Sequence, residues 1–250
     1  MFENYLYIDE EKIDCYLSDF SRPSKAKGKT VCAEISLPFI KITASGEFTK
    51  DISELSMRQK IVLFERLLEH NELDLFFDLA NEDVETRTIP MNRFIAFECT
   101  LRIPEMIDMI NGASVILKGS LGSLAQKQIK LNEDEEQTQA ILSLLSEKQE
   151  TMPVIAESSI KAISEIDVEK IVDYDELDFW DEVAEQCTII AKVTKNCSNE
   201  KRVKVVDMGK KFFGLSRSFR RQIPNYETNP QFNVFEDGVT FKLEILAIKK

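Results

Sequence analysis

Hydrophobic residues near the start of the chain change from a continuous run to a helical spacing. The run Tyr5–Ile8 predicts a short strand, and Asp9 directly after it is typical of a helix N-cap. The apolar residues that follow recur at i, i+3, i+4 and i+7, namely Ile13, Tyr16, Leu17 and Phe20. This spacing places them on one face of a helix, so the chain is predicted to open with a strand and a helix.

The next part of the chain mixes the same two patterns. Residues 31–48 predict two strands that turn near Ser45-Gly46. Ser56 and Gln59 have the spacing of a capping box at the start of a clear amphipathic helix. A second short helix is predicted over residues 72–80.

Later apolar stretches are separated by polar turns. They predict a helix at 176–185 and strands at 94–102, 153–156, 188–193, 202–207 and 239–248. Strands mixed with separated helices indicate an α+β fold with mixed or antiparallel sheets. Because the composition shifts at residue 133, we expect two lobes, an N-terminal one at 1–132 and a C-terminal one at 133–250.

The charges along the chain are unevenly distributed. The 250 residues are 43% hydrophobic with a formal net charge of −12, which describes a globular protein and excludes fibrous and intrinsically disordered classes. Residues 133–186 hold seventeen Asp and Glu against three Lys, whereas residues 192–221 hold ten Lys and Arg against two acids. The C-terminal lobe is therefore predicted to be an acidic helical part followed by a basic strand part.

Several features predict a cytoplasmic protein that does not bind membranes. The first residues lack the basic and long apolar regions of a secretory signal, and the longest uncharged stretch, Gln137–Ser146, is too short to span a bilayer. The five cysteines are scattered without a CxxC pair, which argues against a disulfide framework or a cysteine-rich zinc site. We expect them to be small buried residues.

The scarcity of histidine restricts the catalytic chemistry of this chain. His70 is the single histidine, and the last turn of a predicted helix suits a basic residue without a catalytic role. Ser-His-Asp and Cys-His mechanisms would have to use it, so we do not expect histidine-centred hydrolysis. Carboxylate chemistry is an alternative, in which Glu98, Asp173, Asp175 and Asp178 would bind Mg²⁺ or Mn²⁺ in a phosphodiesterase or nuclease.

The basic segment gives the strongest local signal of a binding surface. Aromatic residues interleave its charges, and guanidinium groups make bidentate contacts with phosphate. The candidate anion-binding residues are Lys201, Arg202, Lys204, Lys210, Lys211, Arg217, Arg220 and Arg221. Pairing of these charges with the acidic residues, within one chain or between subunits, is the competing interpretation.

Several segments resemble a family of uncharacterised bacterial proteins. The opening, Tyr5–Leu17, has the aromatic strand, Asp-Glu cap and helix ending in Tyr-Leu of that family. Phe97–Pro104, Cys187–Val193 and Leu243–Ile248 are similar to it as well, whereas the final Lys249-Lys250 replaces the aromatic residue that often follows there. The resemblance implies a bacterial protein with a role in defence against phages, and it brings no catalytic or binding residue.

The sequence thus predicts a non-catalytic protein without a cofactor that binds another protein or a second copy of itself. This prediction depends on two segments of opposite charge, and on a sequence in which no group of catalytic residues is recognised. The alternatives are the metal-dependent phosphodiesterase or nuclease, and a sensor that binds a nucleotide signal or nucleic acid through the basic residues.

Overall fold

A computed structural model shows how these elements assemble. It describes residues 4–21, 35–37, 40–42, 52–69, 75–79, 85–105, 151–172, 175–207 and 233–250. In chain order the elements are β1 (Tyr5–Ile8), α1 (Glu10–Ser21), β2 (Ile35–Leu37), β3 (Ile40–Ile42), α2 (Met57–Glu69), β4 (Phe76–Asp78), β5 (Phe94–Arg102), β6 (Thr151–Glu157), β7 (Lys161–Asp167), α3 (Glu176–Glu185), β8 (Cys187–Asn196), β9 (Arg202–Asp207), β10 (Asn233–Asp237) and β11 (Phe241–Lys249). Separated helices beside mixed and antiparallel sheets confirm the α+β class.

Five of the strands form a partly closed barrel. β5 pairs with β6, β6 with β7, and β8 with both β5 and β11, all antiparallel. The ring closes where β7 runs parallel to β11 through the pairs Phe241↔Ala162 and Lys242↔Ile163. Counted along the chain, these strands follow the order 1-2-3-5-4 back to 1, with α3 between the third and fourth strands. This is the connectivity of the OB-fold, a five-stranded barrel.

The barrel interior is filled by alternate side chains of its strands. Ile95, Phe97 and Leu101 of β5 are each at most 2% exposed. They belong to the same apolar cluster as Phe241 of β11. α3 adds Phe179 and Val183, both fully buried, to this cluster. The carboxylate of Asp175 caps α3 by accepting a hydrogen bond from the backbone N–H of Asp178 at 2.9 Å.

A second layer lies outside the barrel. β5 and β11 continue past it, where β4 pairs parallel with β5 and β1 pairs antiparallel with β11. Helices α1 and α2 cover this extension of the sheet. The shared apolar cluster includes Ile13, Leu17, Ile61, Phe64 and Leu68 from the helices and Phe94, Ile190 and Leu246 from the sheet.

Local signals at the starts of α1 and α2 are confirmed. The backbone N–H of Lys12 donates to Oδ1 of Asp9 at 3.3 Å, so Asp9 caps α1. The backbone N–H of Ser56 donates to Oε1 of Gln59 at 3.0 Å, and that of Gln59 donates back to Oγ of Ser56 at 3.4 Å. This reciprocal pair is the capping box.

One predicted element is wrong. Residues 76–78 form β4 rather than part of a helix, because pairing with Phe94–Ala96 of β5 outweighs the local helical spacing. β2 and β3 pair through Ile35↔Ile42 and Leu37↔Ile40. The predicted turn near Ser45-Gly46 lies outside the described residues.

Both predicted lobes contribute strands to the same sheet. β5, from the N-terminal side of residue 133, pairs with β6 and β8 from the C-terminal side. β1 likewise pairs with β11. The predicted boundary at residue 132 itself lies outside the described residues.

Candidate anion-binding surface

A hairpin formed by β9 and β10 lies in the connection between the fourth and fifth barrel strands. Its strands pair from Arg202↔Asp237 to Asp207↔Asn233. Val203 of this hairpin, 2% exposed, packs with Ile155 of β6 and Ile163 of β7 on the outside of the barrel. One face of the hairpin is therefore sealed against the second and third barrel strands.

A network of four charged side chains anchors the hairpin to the barrel. Nη2 of Arg102 lies 3.0 Å from Oε1 of Glu157 and 3.1 Å from Oε1 of Glu236. Nζ of Lys161 lies 3.2 Å from Oε2 of Glu236 and 3.3 Å from Oε1 of Glu157. Hydrogen bonds from Arg102 first, and from Lys161, hold the pKa of Glu157 below its usual value. Glu157 therefore stays ionised, and Arg102 and Lys161 connect it to Glu236 of β10.

The opposite face of the hairpin is basic and aromatic. Because neighbouring strand residues alternate between faces, Arg202 and Lys204 point away from the side that Val203 seals. Phe235 is the register partner of Lys204, so it shares this outward face. The guanidinium carbon of Arg202 lies over the Phe235 ring, 5.2 Å from its centroid. We call Arg202, Lys204 and Phe235 the outward face.

Arg202 of the outward face makes a weak contact with a neighbouring acid. Nε of Arg202 lies 3.6 Å from Oδ1 of Asp237, and both side chains are strongly exposed, at 59% and 79%. Such an exposed pair contributes between zero and about 1 kcal/mol, so a phosphate group can replace Asp237. Nζ of Lys242 donates to the backbone carbonyl of Lys204 at 3.0 Å and ties β9 to β11.

Three of the eight predicted anion-binding residues lie in the described part of the chain. Arg202 and Lys204 lie on the outward face, and Lys201 is exposed directly before β9. The other five lie outside the described residues, in the segment that leaves the hairpin at Asp207 and returns at Asn233: Lys210, Lys211, Arg217, Arg220 and Arg221. Phe235 was not among the predicted residues, because its partner in the hairpin, Lys204, lies 31 positions away in the sequence.

The described acidic and basic residues pair mainly with other neighbours. Lys195 of the basic block lies 2.6 Å from Glu200, and Arg202 pairs with Asp237. Glu182 and Glu185 of the acidic block pair with Lys250. None of these contacts among the described residues joins the acidic block to the basic block.

The predicted carboxylate site is spread over separate places. Glu98 points out of the barrel and accepts a hydrogen bond from Nε2 of Gln186 at 2.8 Å. Asp175 uses its carboxylate to cap α3, and Asp178 is exposed in the first turn of the helix. Asp173 lies outside the described residues. Within the described part of the chain, no group of three or more His, Cys, Asp and Glu residues is placed to hold a metal ion.

Two clefts were not anticipated from the sequence. Glu98 borders one of about 240 Å³ between α2 and the sheet, together with Glu65, Glu69, Asp78 and Lys249. The other, of about 290 Å³, lies where β7 and β11 separate. Its lining includes Lys12, Ser164, Glu165, Thr194, Lys242 and Glu244. Acidic and basic groups alternate in the second cleft, so it has no single charge preference.

Comparisons with known proteins do not assign a function. The chain matches no family model, and neither a curated protein nor a solved structure shows significant similarity to it. In the described residues, no helix is long and apolar enough to cross a membrane. Function therefore has to be inferred from the geometry of the barrel and its hairpin.

Proposed function

We propose that this protein binds single-stranded nucleic acid through the outward face of the hairpin. The observation that carries this proposal is the Arg202 guanidinium over the Phe235 ring, on a connection between the fourth and fifth strands of an OB-type barrel. OB-folds bind oligonucleotides with their strand surfaces and with this connection. Fold alone does not imply function, so the side chains of the outward face have to supply the recognition.

The outward face combines the two contacts that single strands require. An aromatic ring stacks on a base, which contributes about 1–3 kcal/mol and tolerates any sequence. Arg202 and Lys204 supply positive charge for the phosphates on either side. The five basic residues that follow Asp207 extend the same charge along the chain.

The net charge of −12 limits this binding to a local surface. At physiological ionic strength, charges more than about 8 Å apart are largely screened. A phosphate at the outward face is therefore attracted by the hairpin, while distant acidic side chains oppose it weakly. The acidic remainder would repel longer nucleic acid from the rest of the molecule.

We place this binding in the cytoplasm. Cys15, Cys99, Cys187 and Cys197 are free thiols, which is typical of proteins in a reducing compartment. Nucleic acids and nucleotide signals are available there.

Fluorescence anisotropy with labelled single-stranded DNA and RNA of about twelve nucleotides tests the proposal, at 50 and 200 mM salt. We expect R202A to weaken binding roughly tenfold and to reduce the salt slope by about 0.7. F235L should weaken it roughly 5- to 100-fold, because it removes the stacking surface and keeps apolar bulk. R66A is the matched control, since Arg66 on α2 is 51% exposed and also pairs with an acid, Glu69.

The outcomes separate this proposal from the alternatives. Absence of binding at 50 mM salt, or equal losses in R66A and R202A, would contradict it. Native mass spectrometry that instead showed a salt-sensitive dimer would support binding of a second copy through opposed charges. Stabilisation by cyclic dinucleotides but not by oligonucleotides would favour the sensor, and Mg²⁺- or Mn²⁺-dependent cleavage lost in E98Q would favour the phosphodiesterase.

A further inference from the structure

Two buried thiols face each other in the barrel. Cys99 of β5 and Cys187 of β8 are register partners in the antiparallel ladder. They are 4% and 2% exposed and belong to the same apolar cluster. Both are free thiols, and the Cys187 thiol is near enough to raise the pKa of Cys99. The proposed nucleic-acid surface does not use them.

Their placement on the ladder suits a disulfide bond. Directly opposed residues in antiparallel strands have Cα atoms about 4.5–5.5 Å apart, and their side chains share one face. Disulfides form across Cα separations of about 4.4–6.8 Å. A bond between the two sulfurs therefore needs a change of side-chain rotamers rather than a movement of the strands.

The pair also lies at the end of the ladder. Cys99↔Cys187 is the last pair between β5 and β8, and the next residue, Thr100, pairs with Glu157 of β6 instead. On the other side, Cys187 directly follows Gln186, the C-cap of α3. The ends of ladders open at a lower free energy than their centres, and such opening gives a small oxidant access to buried sulfur.

Burial makes the reaction slow without preventing it. The neighbouring Cys187 thiol and the loss of solvent raise the pKa of Cys99, so Cys99 holds little thiolate in the folded protein. Oxidation then depends on local opening at the ladder end. The exposed Cys15 is expected to react with the same oxidant much sooner.

We propose that Cys99 and Cys187 form a reversible disulfide under oxidation by a peroxide. One thiolate attacks hydrogen peroxide and becomes a sulfenic acid, with release of one water after proton transfer. The second thiol attacks that sulfur, the S–S bond forms and a second water leaves. Two thiols and one peroxide thus give one disulfide and two waters, and a thiol reductant such as glutathione reverses the change.

The bond would connect the barrel at a specific place. It joins β5 to β8 where β5 passes from pairing with β8 to pairing with β6. Because it closes a long loop of chain, it restricts the unfolded state strongly. We expect the oxidised protein to melt roughly 5 °C or more above the reduced protein.

Peptide mapping after peroxide treatment tests this proposal. A C15S/C32S background avoids links between molecules and leaves Cys99, Cys187 and Cys197. We expect the intact mass to fall by about 2 Da and tryptic peptides 94–102 and 171–192 to be joined. Reduction should restore both the mass and the melting temperature.

The remaining cysteine gives the matched control. Cys197 is fully buried and packs in a different cluster, with Val203 and Val239. C197S should leave the mass change unaltered, whereas C187S should abolish it. If C187S does not fold, the peptide map of the protein with its natural cysteines gives the same answer. Linkage of Cys197 instead would overturn the proposal. In the protein with its natural cysteines, peptides 94–102 and 171–192 that stay separate after Cys15 has been fully oxidised would also overturn it.

Discussion

Nζ of Lys170 lies 2.9 Å from Oδ1 of Asp9, a carboxylate whose side chain is only 1% exposed. Lys170 follows β7, whereas Asp9 connects β1 to α1, so this contact joins a barrel strand to the helical layer. Lys12 also lies 3.1 Å from Oδ2 of Asp9. The two ammonium groups stabilise the ionised form of this buried carboxylate, because each of its oxygens has a charged donor.

Replacement of Asp9 is expected to destabilise the fold. D9A removes the cap of α1 and leaves Lys170 without its buried partner, which should cost about 2–4 kcal/mol in the free energy of unfolding. D9N keeps a capping oxygen and should cost about 1 kcal/mol less. Urea unfolding at pH 7 measures both, and E11A is the control. Glu11 also contacts Lys170 but is 86% exposed, so a loss from E11A as large as that from D9A would contradict the assignment.

Asp9 also predicts how stability depends on acid. Burial alone would raise its pKa, but hydrogen bonds from Lys170 and Lys12 outweigh burial and hold the pKa below its usual value of 3.8. The stabilisation is therefore complete above that value and is lost as the pH falls through the lower pKa of the folded protein. Urea unfolding at pH 7 and pH 3 should show a smaller acid loss for D9N than for the unsubstituted protein.

Two neighbouring acids of β10 should behave in opposite ways. Glu236 anchors the hairpin through Arg102 and Lys161, so E236Q should lower the free energy of unfolding by about 1–2 kcal/mol. Asp237 faces outward and pairs with Arg202, so D237N should leave stability nearly unchanged and raise oligonucleotide affinity roughly twofold to fivefold. Thermal unfolding and anisotropy on both variants check this. Tighter binding by E236Q than by D237N would show that the ligand binds near Glu236 rather than at the outward face.

Tyr16 gives a prediction at alkaline pH. Its hydroxyl donates to Oε2 of Glu244 at 2.5 Å, and its ring lies 4.8 Å from Nζ of Lys192. Burial first, and then Glu244, raise the pKa of Tyr16 above its usual value of 10. The unfolded chain ionises first, so the stabilisation is complete below pH 10 and is lost as the pH rises above it.

The Y16F variant tests the contribution of the Tyr16 hydroxyl separately from that of the ring. It should lower the free energy of unfolding at pH 7 by about 1–2 kcal/mol, because a hydrogen bond to a charged group is lost while the ring packing stays. Between pH 9 and 11 the folded variant should show the same rise in absorbance at 295 nm as the unsubstituted protein, since Tyr16 stays protonated in the unsubstituted protein and is absent from the variant. A smaller rise in folded Y16F would show that Tyr16 ionises normally.

Elements with strong local signals were predictable from the sequence. Asp9 and the Ser56–Gln59 capping box mark the starts of α1 and α2, because capping depends on residues three positions apart. Asp175, named from the sequence only as a candidate metal ligand, caps α3. β5 was predicted with its observed bounds, Phe94–Arg102. The helix predicted over 72–80 was wrong, because its local spacing does not reveal the parallel pairing with β5.

The candidate surface was predictable only in part. The basic composition around Arg202 identified this residue as an anion-binding candidate, since charge can be read from the sequence without knowledge of the fold. Phe235 and the anchoring acid Glu236 reach that region only through strand pairing. Glu98, in contrast, interrupts an apolar strand and was therefore a candidate catalytic residue, yet its described partner is the amide of Gln186.

The sequence by itself determined the local structure: where helices begin, which stretches alternate and how charge is distributed along the chain. Tertiary structure decided which of these features meet. The barrel closes where Phe241 pairs with Ala162, and Cys99 faces Cys187, through contacts between distant residues. Local preferences depend on neighbours three or four positions away, whereas strand partners are selected by the apolar surface that all five strands bury together.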